Sequence, residues 1–437
     1  MDVDKTSFTA LPFSKLFQHY TSGSGSILSF FETDPASISN IASAVESFDF
    51  DGDRRATKSL LEHFNREYLA SDTTQSQIKK FDDEKCLTVV TGQQVTLFGG
   101  PLYTVYKTLT AIVYANRLEK ITGRPVVPVF WLADEDHDLD EVSTIKLPDE
   151  DQTRDINYQM KPYEHAPPAA SIELGERFEP LIKELNSTLI DTDFSDRLMD
   201  LIKKSYKRDR TFGEAFGAML MSLFSNYGLL IAGSRPAEAK INVKEILKTA
   251  VSKREQITRA LDETTFSLKE NGYHDQVQVQ SSNLFYLTDT GNRVKIQYVD
   301  GKWSTPEKQW STHQLEEEID SHPEQFSPNV FLRPICQDKL LPVAAYVGGP
   351  GEIAYYAQMR KFYKVFDHKM PAILPRFSIT LFESAIDRIL EKLPFEWPKY
   401  RDRIEDLEKE FVESNESVNI EKIFGIWRSQ IDELSRA

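Results

Sequence analysis

Cysteine is scarce in this chain: Cys86 and Cys336 are the only two among 437 residues, and they lie far apart. Their number excludes a disulfide framework and favours a reducing compartment. Neither belongs to a CxxC motif or a Cys/His cluster of the kind that binds zinc. No run of about 18 apolar residues is present, so we expect no transmembrane helix. The first residues, MDVDKTSF, lack the pattern of a secretory signal, and we predict a cytoplasmic protein.

Positive charge is also in short supply. The chain has 52 Lys and Arg against 68 Asp and Glu, which gives a formal net charge of −16. This balance argues against nucleic acid or an anionic membrane surface as a partner. Hydrophobic residues make up 40% of the chain, which is enough for a well-buried interior. The length predicts several domains, or one core with insertions.

The most informative stretch is residues 87–142. Two short apolar runs, Leu87–Val90 and Val126–Trp131, are predicted to be buried strands. Between them, Pro101–Glu119 has apolar residues at helical spacing, and Gly123 is a typical helix stop. Strand, helix and strand form a βαβ unit, whose right-handed crossover predicts parallel strands.

Polar side chains follow both strands, at the edge where α/β folds bind ligands. Gln93 and Gln94 follow the first strand, and the run from Asp134 to Asp138 follows the second. Within that run, His137 could act as a general acid or base or hold a transferring group. We expect the neighbouring carboxylates to raise its pKa. Solvated charge is the common alternative for such a run. A Mg²⁺ site is a weaker alternative, and we predict no metal.

Glycine-containing turns precede two predicted helices. Gly99 and Gly100 stand before the first helix, on which Tyr103 and Lys107 lie one turn apart and can face the same loop. The turn matches neither a Walker loop nor GxGxxG. Backbone N–H groups after Gly92 and Gly99 could stabilise an oxyanion. A plain tight turn and a surface lysine are the alternatives.

The second half of the chain repeats this arrangement. Gly348 and Gly349 lead into a predicted helix, Ile353–Phe366. Glu352, directly before this helix, could bind a substrate amine or simply complement the helix dipole. Arg376 follows a predicted strand and could clamp a carboxylate or phosphate, or form a structural ion pair. We predict that five strands share one mostly parallel sheet: Leu87–Val90, Val126–Trp131, Leu229–Ala232, Leu341–Val347 and Ala372–Leu374.

Several motifs at matching spacing resemble the bacillithiol biosynthesis cysteine-adding enzymes. They are Thr91–Gln94, Gly100–Thr104 with Tyr106 and Lys107, Pro128–Trp131 with Glu135–Asp138, and Tyr346–Pro350 with Glu352–Tyr355. The resemblance implies a Rossmann-like core, two connecting insertions and a helical coiled coil that dimerises. It also implies a cysteine ligase that joins the cysteine carboxylate to the amine of glucosaminyl malate. Members usually run longer at the C-terminus, so the coiled coil is expected to be truncated here.

With this α/β fold, we predict the following division of the chain. Residues 1–85 are a helical part of the core, 86–149 the first half of the Rossmann-like core, 150–210 the first insertion, 211–254 core, 255–325 the second insertion with a small antiparallel β part, 326–382 the second half of the core, and 383–437 the coiled coil. An apolar seam in the last part predicts a homodimer. The seam comprises Phe411, Ile423, Ile426, Ile431 and Leu434.

Our candidate residues combine the motifs with the strand ends. The candidate catalytic residues are His137, Asp136 and Gln93, and the candidate substrate-binding residues are Gln94, Gly100, Tyr103, Lys107, Asp134, Asp138, Gly348, Gly349, Glu352, Tyr355 and Arg376. The activating cosubstrate stays open between ATP, another nucleotide and an already activated cysteine. The alternative function is a non-catalytic, dimeric scaffold that binds a nucleotide or sugar.

Overall fold

The computed structural model describes residues 3–35, 37–68, 71–149, 152–160, 163, 166–392, 394–401 and 403–415. The chain divides into two compact units, residues 14–378 and a second unit formed by residues 1–13 and 379–437. The strands are β1 (Leu87–Gln93), β2 (Val126–Leu132), β3 (Thr144–Asp149), β4 (Gln152–Asn157), β5 (Leu230–Ala232), β6 (Leu284–Leu287), β7 (Arg293–Lys295), β8 (Gln297–Val299), β9 (Lys302–Ser304), β10 (Gln309–Trp310), β11 (Phe326–Pro328), β12 (Val343–Gly348) and β13 (Ala372–Pro375).

The α-helices complete the described secondary structure, apart from short 3₁₀ turns. They are α1 (Lys15–Ser22), α2 (Ile38–Glu46), α3 (Arg54–Phe64), α4 (Asp72–Lys79), α5 (Leu102–Thr122), α6 (Leu139–Ser143), α7 (Phe178–Thr188), α8 (Ser195–Ser205), α9 (Phe212–Phe224), α10 (Ala237–Ser252), α11 (Arg254–Glu270), α12 (Thr312–Ser321), α13 (Leu332–Leu340), α14 (Pro350–Ala357), α15 (Arg360–Val365), α16 (Ser384–Leu390) and α17 (Ile404–Asn415).

A five-stranded sheet in the order β13-β12-β1-β2-β5 organises the larger unit. All neighbouring strands are parallel, which confirms that the five predicted strands share one sheet. Along the chain, β1, β2 and β5 add strands on one side, and β12 and β13 then start again on the other side of β1. This is the doubly wound order, and its switch point lies between β1 and β12. In such folds, ligands bind in the crevice at the carboxyl ends of the strands.

Continuous apolar strands explain why this sheet is central. Every residue of β2 is buried, as expected for a parallel strand covered on both faces. One face packs against α2 and α5 through Ile41, Ala111 and Leu118. The other face packs against α9, where Phe216 meets Phe130 of β2. The sheet is therefore packed on both faces, and this packing fixes the positions of the strand ends at which a site can form.

The structure contradicts two local predictions from the sequence. The apolar stretch Val330–Pro334 predicts an extended segment, but α13 begins at Leu332 and buries Ile335, Cys336 and Leu340. Pro334 argues against a helix in the sequence, although the first turn of a helix tolerates proline. The turn-rich sequence Lys146–Thr153 predicts a loop, but it overlaps the paired strands β3 and β4, in which Ile145 opposes Ile156.

Two further helical predictions need smaller corrections. The long helix predicted from Ala237 to Asn271 is two helices, α10 and α11, separated at Lys253. The helix expected over Ile353–Phe366 is likewise divided into α14 and α15, and it begins earlier, at Pro350.

Residues near 150–210 and 255–325 lie outside the central sheet, as predicted. The structure has small antiparallel sheets apart from the central one. One has the order β11-β6-β7 and another β10-β9-β8. The predicted hairpin turn at Asp289–Asn292 connects β6 to β7, and Gly291 there has a φ of 83°, which favours glycine. The finer division of the chain into core and insertions stays a prediction.

The predicted helical tail is only partly within the described residues. In the smaller unit, α16 and α17 are separated by a short 3₁₀ helix at Trp397–Arg401. Four members of the proposed seam, Ile423, Ile426, Ile431 and Leu434, lie outside the described residues. The coiled coil and its dimer therefore stay predictions.

Candidate active site at the strand ends

Two adjoining cavities open at the carboxyl ends of the central strands. The larger has a volume of about 860 Å³ and the smaller about 340 Å³. Four residues line both: Trp131, Ala133, Asp136 and Arg333. The larger cavity is closed on one side by the β6–β7 hairpin and its neighbours, whereas the smaller lies at the switch point between β1 and β12. The fold thus offers two compartments that meet at Asp136.

The sequence predicted that Gln93, Asp136, His137 and Gly348 line one cleft. Gln93 lines the smaller cavity, His137 the larger, and Asp136 both. Gly348 lines neither, whereas its neighbour Gly349 lines the smaller cavity. The predicted single cleft is thus divided into two compartments, and the roles of these residues stay predictions.

Lys107 is the buried centre of the smaller cavity and is 2% exposed. Its ammonium group donates to Glu352 Oε2 at 2.6 Å, to Gln93 Oε1 at 3.3 Å and to the Gly92 carbonyl. Burial lowers the pKa of Lys107, and Glu352 opposes that shift. Since an ammonium group has three N–H donors, all of them are occupied within the protein.

Glu352 is equally well held. Its Oε1 accepts from the Tyr346 hydroxyl at 2.6 Å, and its Oε2 also accepts from the backbone N–H of Gly349 at 2.8 Å. The carboxylate thereby ties the glycine turn after β12 to Lys107 on α5. A substrate amine would have to compete with these internal donors.

Other predicted residues form the wall of the smaller cavity. Gln94, Tyr103, Gly349, Tyr355 and Arg376 all line it. Gln93 donates to the Tyr103 hydroxyl at 3.4 Å, and the guanidinium carbon of Arg376 lies 5.5 Å from the Tyr103 ring centre. Arg376 also donates to the Phe377 carbonyl at 3.1 Å. These contacts fix an aromatic ring and a guanidinium beside the switch point.

Asp136 lies between the two cavities in a cationic setting. Burial alone would raise its pKa, but Arg333 and Arg293 outweigh this and lower it. Arg333 Nη1 lies 3.9 Å from Asp136 Oδ2, and the other oxygen accepts from the backbone N–H of His137 at 2.8 Å. Asp136 is therefore a carboxylate at neutral pH.

The predicted direction of the His137 pKa shift is wrong. Burial and the neighbouring Arg293 lower the pKa of His137, and together they outweigh Asp136 and Asp138, which raise it. Arg293 Nη1 lies 2.8 Å from His137 Nδ1, closer than Asp136 Oδ1 at 3.9 Å. The nearest charge in space is thus an arginine from a distant strand, and not one of the carboxylates adjacent in sequence.

Asp134 and Glu135 line the larger cavity, but their oxygens are engaged by α10 and the turn before it. Burial, reinforced by the charge on Glu135, raises the pKa of Asp134 to about 6. Burial would also raise the pKa of Glu135, but Lys240 lowers it by direct contact. The Ser234 hydroxyl donates to Glu135 Oε2 at 2.5 Å, and its backbone N–H donates to Asp134 Oδ1 at 3.3 Å. These two carboxylates therefore connect the segment after β2 to α10 and to the turn before it.

Two predicted residues have structural positions. Asp138 caps α6 by accepting from the backbone N–H of Glu141 at 3.2 Å. Gly100 lines neither cavity and has a φ of 75°, which a tight turn requires. The backbone N–H of Gly100, the group that follows Gly99, donates to the Leu97 carbonyl at 3.1 Å. This contact occupies one of the donors expected to form an oxyanion hole.

Two arginines of the site are absent from the candidate residues. Arg333 lies in the stretch Val330–Pro334, which the sequence predicts to be extended, and Arg293 lies in the antiparallel β part of the predicted second insertion. Both line the larger cavity and both contribute to the low pKa of Asp136. Arg293 alternates with Val294 as a solvent-facing residue would, so the local pattern gives no signal that its side chain is buried.

Among the described residues, no group of three or more His, Cys, Asp or Glu side chains could hold a metal ion. Across the same residues, no helix combines the length and apolarity needed to span a bilayer.

Comparison with known proteins assigns the family. Residues 1–377 match the family model described as "Bacillithiol biosynthesis BshC, N-terminal Rossmann-like domain". The chain belongs to the BshC family. A relative from Chlorobaculum tepidum is 36% identical over 344 residues, which cover 78% of this chain and 61% of the relative. A relative from Salinibacter ruber is 31% identical over 416 residues, covering 94% of this chain and 76% of the relative.

Both of these BshC relatives carry the name "Putative cysteine ligase BshC". A third, from Koribacter versatilis, has the same name and is 34% identical over 87% of this chain and 70% of its own length. The chain thus spans about three fifths of the first relative and about three quarters of the second. The family confirms the resemblance in the motifs, and it places the Rossmann-like match on the unit that contains both cavities.

Proposed function

We propose that this protein is a cysteine ligase that forms an amide between the carboxylate of cysteine and the amine of glucosaminyl malate. The observation that carries the proposal is the pair of adjoining cavities, which meet at Asp136 and Arg333 in a BshC family chain. An amide-forming enzyme must hold two substrates with their reacting groups in contact. Two compartments with a shared wall meet that requirement.

We assign cysteine to the smaller cavity. Its volume of about 340 Å³ suits an amino acid, and Arg376 offers a cation for the carboxylate beside Tyr103. Glucosaminyl malate, a larger molecule with two carboxylates, suits the cavity of about 860 Å³, whose wall includes Lys295. The amine and the carboxyl carbon would then meet beside Asp136.

The chemistry requires activation of one substrate and deprotonation of the other. A carboxylate is a poor electrophile, so cysteine must arrive activated or become activated in the site. An amine attacks only in its neutral form, and a nearby base promotes this. Asp136, His137 and Gln93 stay our candidate catalytic residues, and ATP, another nucleotide or a preactivated cysteine stay the candidate sources of activation.

The direct test is turnover by the purified full chain. Cysteine and glucosaminyl malate are supplied with each nucleotide in turn, and separately with an activated cysteine ester, and the amide product is detected by mass spectrometry. We expect product with at least one of these sources. Binding of glucosaminyl malate or a nucleotide without product from any source would favour the non-catalytic scaffold.

An Asp136→Asn variant makes this test specific to the site. Removing a charge that is positioned between the substrates should lower turnover by about 10²-fold or more. Asp155→Asn is the matched control, because Asp155 pairs with Lys146 on the exposed β3–β4 hairpin at 2.9 Å. Equal activity of the two variants would contradict the role of Asp136.

We also propose a cytoplasmic homodimer that forms through residues 383–437. Ile386 and Ile389 of α16 are 46% and 54% exposed in the smaller unit, which supports an association surface. Burying each large apolar side chain stabilises a dimer by about 1.5–3 kcal/mol. Light scattering on the chain with and without residues 400–437 tests this. A monomer mass for the intact chain, or a dimer that persists after the deletion, would contradict it.

A further inference from the structure

The β11-β6-β7 sheet holds the Arg293 side chain in one orientation. It lies on β7, is 8% exposed, and its guanidinium carbon lies 3.7 Å from the centre of the Phe285 ring on β6. Its Nε donates to the Ser327 hydroxyl and its Nη2 to the Pro328 carbonyl, both at 2.9 Å. The remaining terminal nitrogen, Nη1, lies 2.8 Å from His137 Nδ1. Three contacts thus fix the arginine, and the fourth is directed at one ring nitrogen.

This contact determines the proton position on the ring. An arginine guanidinium has donors and no acceptor, so His137 Nδ1 must accept the hydrogen bond. A neutral imidazole with an accepting Nδ1 carries its only proton on Nε2. A doubly protonated ring would direct an N–H at the guanidinium N–H of Arg293. The lowered pKa of His137 agrees with this, although Asp136 and Asp138 favour the charged ring.

The Nε2 side of the ring is available to a ligand. His137 lines the larger cavity, and 36% of its side chain is exposed. Within the described part of the chain, no protein group is hydrogen-bonded to Nε2. A neutral ring with a fixed N–H at this position is a hydrogen-bond donor that needs no proton exchange to act.

We propose that Arg293 is a positioning residue that keeps His137 neutral with its proton on Nε2, and that His137 donates this hydrogen bond to a substrate oxygen that gains negative charge during amide formation. This assignment rests on the proposed function, and it gives His137 the role of an electrophilic donor and not that of the base. The new C–N bond forms as the bond between the carboxyl carbon and its activating group breaks, and the activating group leaves with that electron pair. His137 neither gains nor loses a proton, so the amine proton passes to another group. Asp136, a carboxylate that lines both cavities, is available for it.

A different reading of the same contacts is purely structural: Arg293 could serve only to anchor the insertion to the core. A purely structural role predicts that substitution of Arg293 lowers stability. It predicts neither a particular tautomer of His137 nor a dependence of activity on a hydrogen-bond donor at position 137. The tests therefore measure the tautomer of His137 and the activity of variants at position 137.

The first test observes the ring directly and needs no turnover. The full chain is labelled with ¹⁵N-histidine, and the signal of His137 is identified among the 8 histidines as the one absent from a His137→Gln variant, using magic-angle-spinning NMR. At pH 7 we expect an unprotonated Nδ1 and a protonated Nε2. A doubly protonated ring, or a proton on Nδ1, would overturn the inference even if the protein proves to be a ligase.

The second test compares two substitutions in the turnover assay. Loss of one donor to a developing oxyanion lowers kcat by about 10²–10³-fold, and we expect this for His137→Ala. The amide of His137→Gln can still donate, so this variant should retain at least about tenfold more activity than the alanine variant. Equal loss in both would indicate a proton-transfer role and overturn the inference. His313→Ala on the exposed face of α12 is the control for loss of a histidine.

The third test removes the positioning group. In Arg293→Met the ring loses its donor, so the pKa of His137 should rise and Nδ1 should become partly protonated. If that variant does not fold, Ser327→Ala removes only one of the contacts that orient Arg293, and a smaller shift in the same direction is expected. A His137 ring with unchanged tautomer and pKa in the folded variant would overturn the positioning role.

Discussion

The two cavities are built in different ways, although they share a wall. In the smaller one, the charges of Lys107 and Glu352 are paired with each other and with the backbone of the core. In the larger one, Arg293 and Lys295 come from a separate β-sheet and face His137 and open cavity. We expect the paired charges of Lys107 and Glu352 mainly to stabilise the switch point, and the less constrained Lys295 mainly to contact a ligand. Substitution of Lys107 should therefore affect mainly stability, whereas substitution of Lys295, or of Arg376 in the wall of the smaller cavity, should affect mainly substrate use.

The largest effect on stability should come from Lys107→Met. Glu352 would keep its charge without its cation, and breaking a buried ion pair costs about 3–5 kcal/mol. We expect the lower end of this range, because the Glu352 side chain is 22% exposed. Chemical denaturation measures the change. Lys361→Met, which breaks the exposed pair with Glu263, is the control and should have almost no effect. Similar midpoints for both variants would remove the distinction between the cavities.

A second comparison separates the substrates. Losing a charge-assisted hydrogen bond costs about 1.5–3 kcal/mol, or about 10–100-fold in KM if binding is affected alone. We expect Lys295→Met to raise the KM for glucosaminyl malate and Arg376→Met to raise the KM for cysteine. Lys302→Met, at an exposed position on β9, should change neither. If each variant raised both KM values equally, the assignment of substrates to cavities would be wrong.

The next prediction concerns the pH dependence of stability, through the buried carboxyl of Asp338 behind the smaller cavity. Burial raises the pKa of Asp338 from its ordinary 3.8 to about 8, against the opposing hydrogen bond from Tyr363. The native carboxyl keeps its proton over this range while the unfolded one has lost it, so the protein loses stability as pH rises from about 4 to 8. Asp338→Asn cannot titrate and should lose less. Melting temperatures at pH 5 and pH 8 measure this.

Asp193→Asn, at an exposed position, is the control for the charge change at Asp338. Its melting temperature should follow the pH profile of the unchanged protein. Parallel profiles for all three proteins would show that Asp338 has an ordinary pKa in the native state.

The sequence predicts the sheet, and the edge where the candidate site lies, because both depend on local patterns. Strands such as Val126–Leu132 are continuous apolar runs, and the polar clusters at Gln93 and Asp136 follow directly in the chain. The contacts that define the chemistry are not local. Arg293 and His137 are 156 residues apart, and adjacency in sequence wrongly suggested that carboxylates dominate the pKa of His137. Lys107 similarly lies in a recognisable motif, but only the fold shows that its donors are internally occupied.

Simultaneous binding is the most direct test of the claim that two substrates occupy adjoining compartments. Calorimetric titration of the full chain with glucosaminyl malate should be carried out alone and in the presence of saturating cysteine, or of a non-hydrolysable activated cysteine if free cysteine does not bind. We predict that both ligands bind together and that the affinity for glucosaminyl malate is retained or improved. Mutual exclusion, seen as loss of the titration when the first ligand is saturating, would contradict the account.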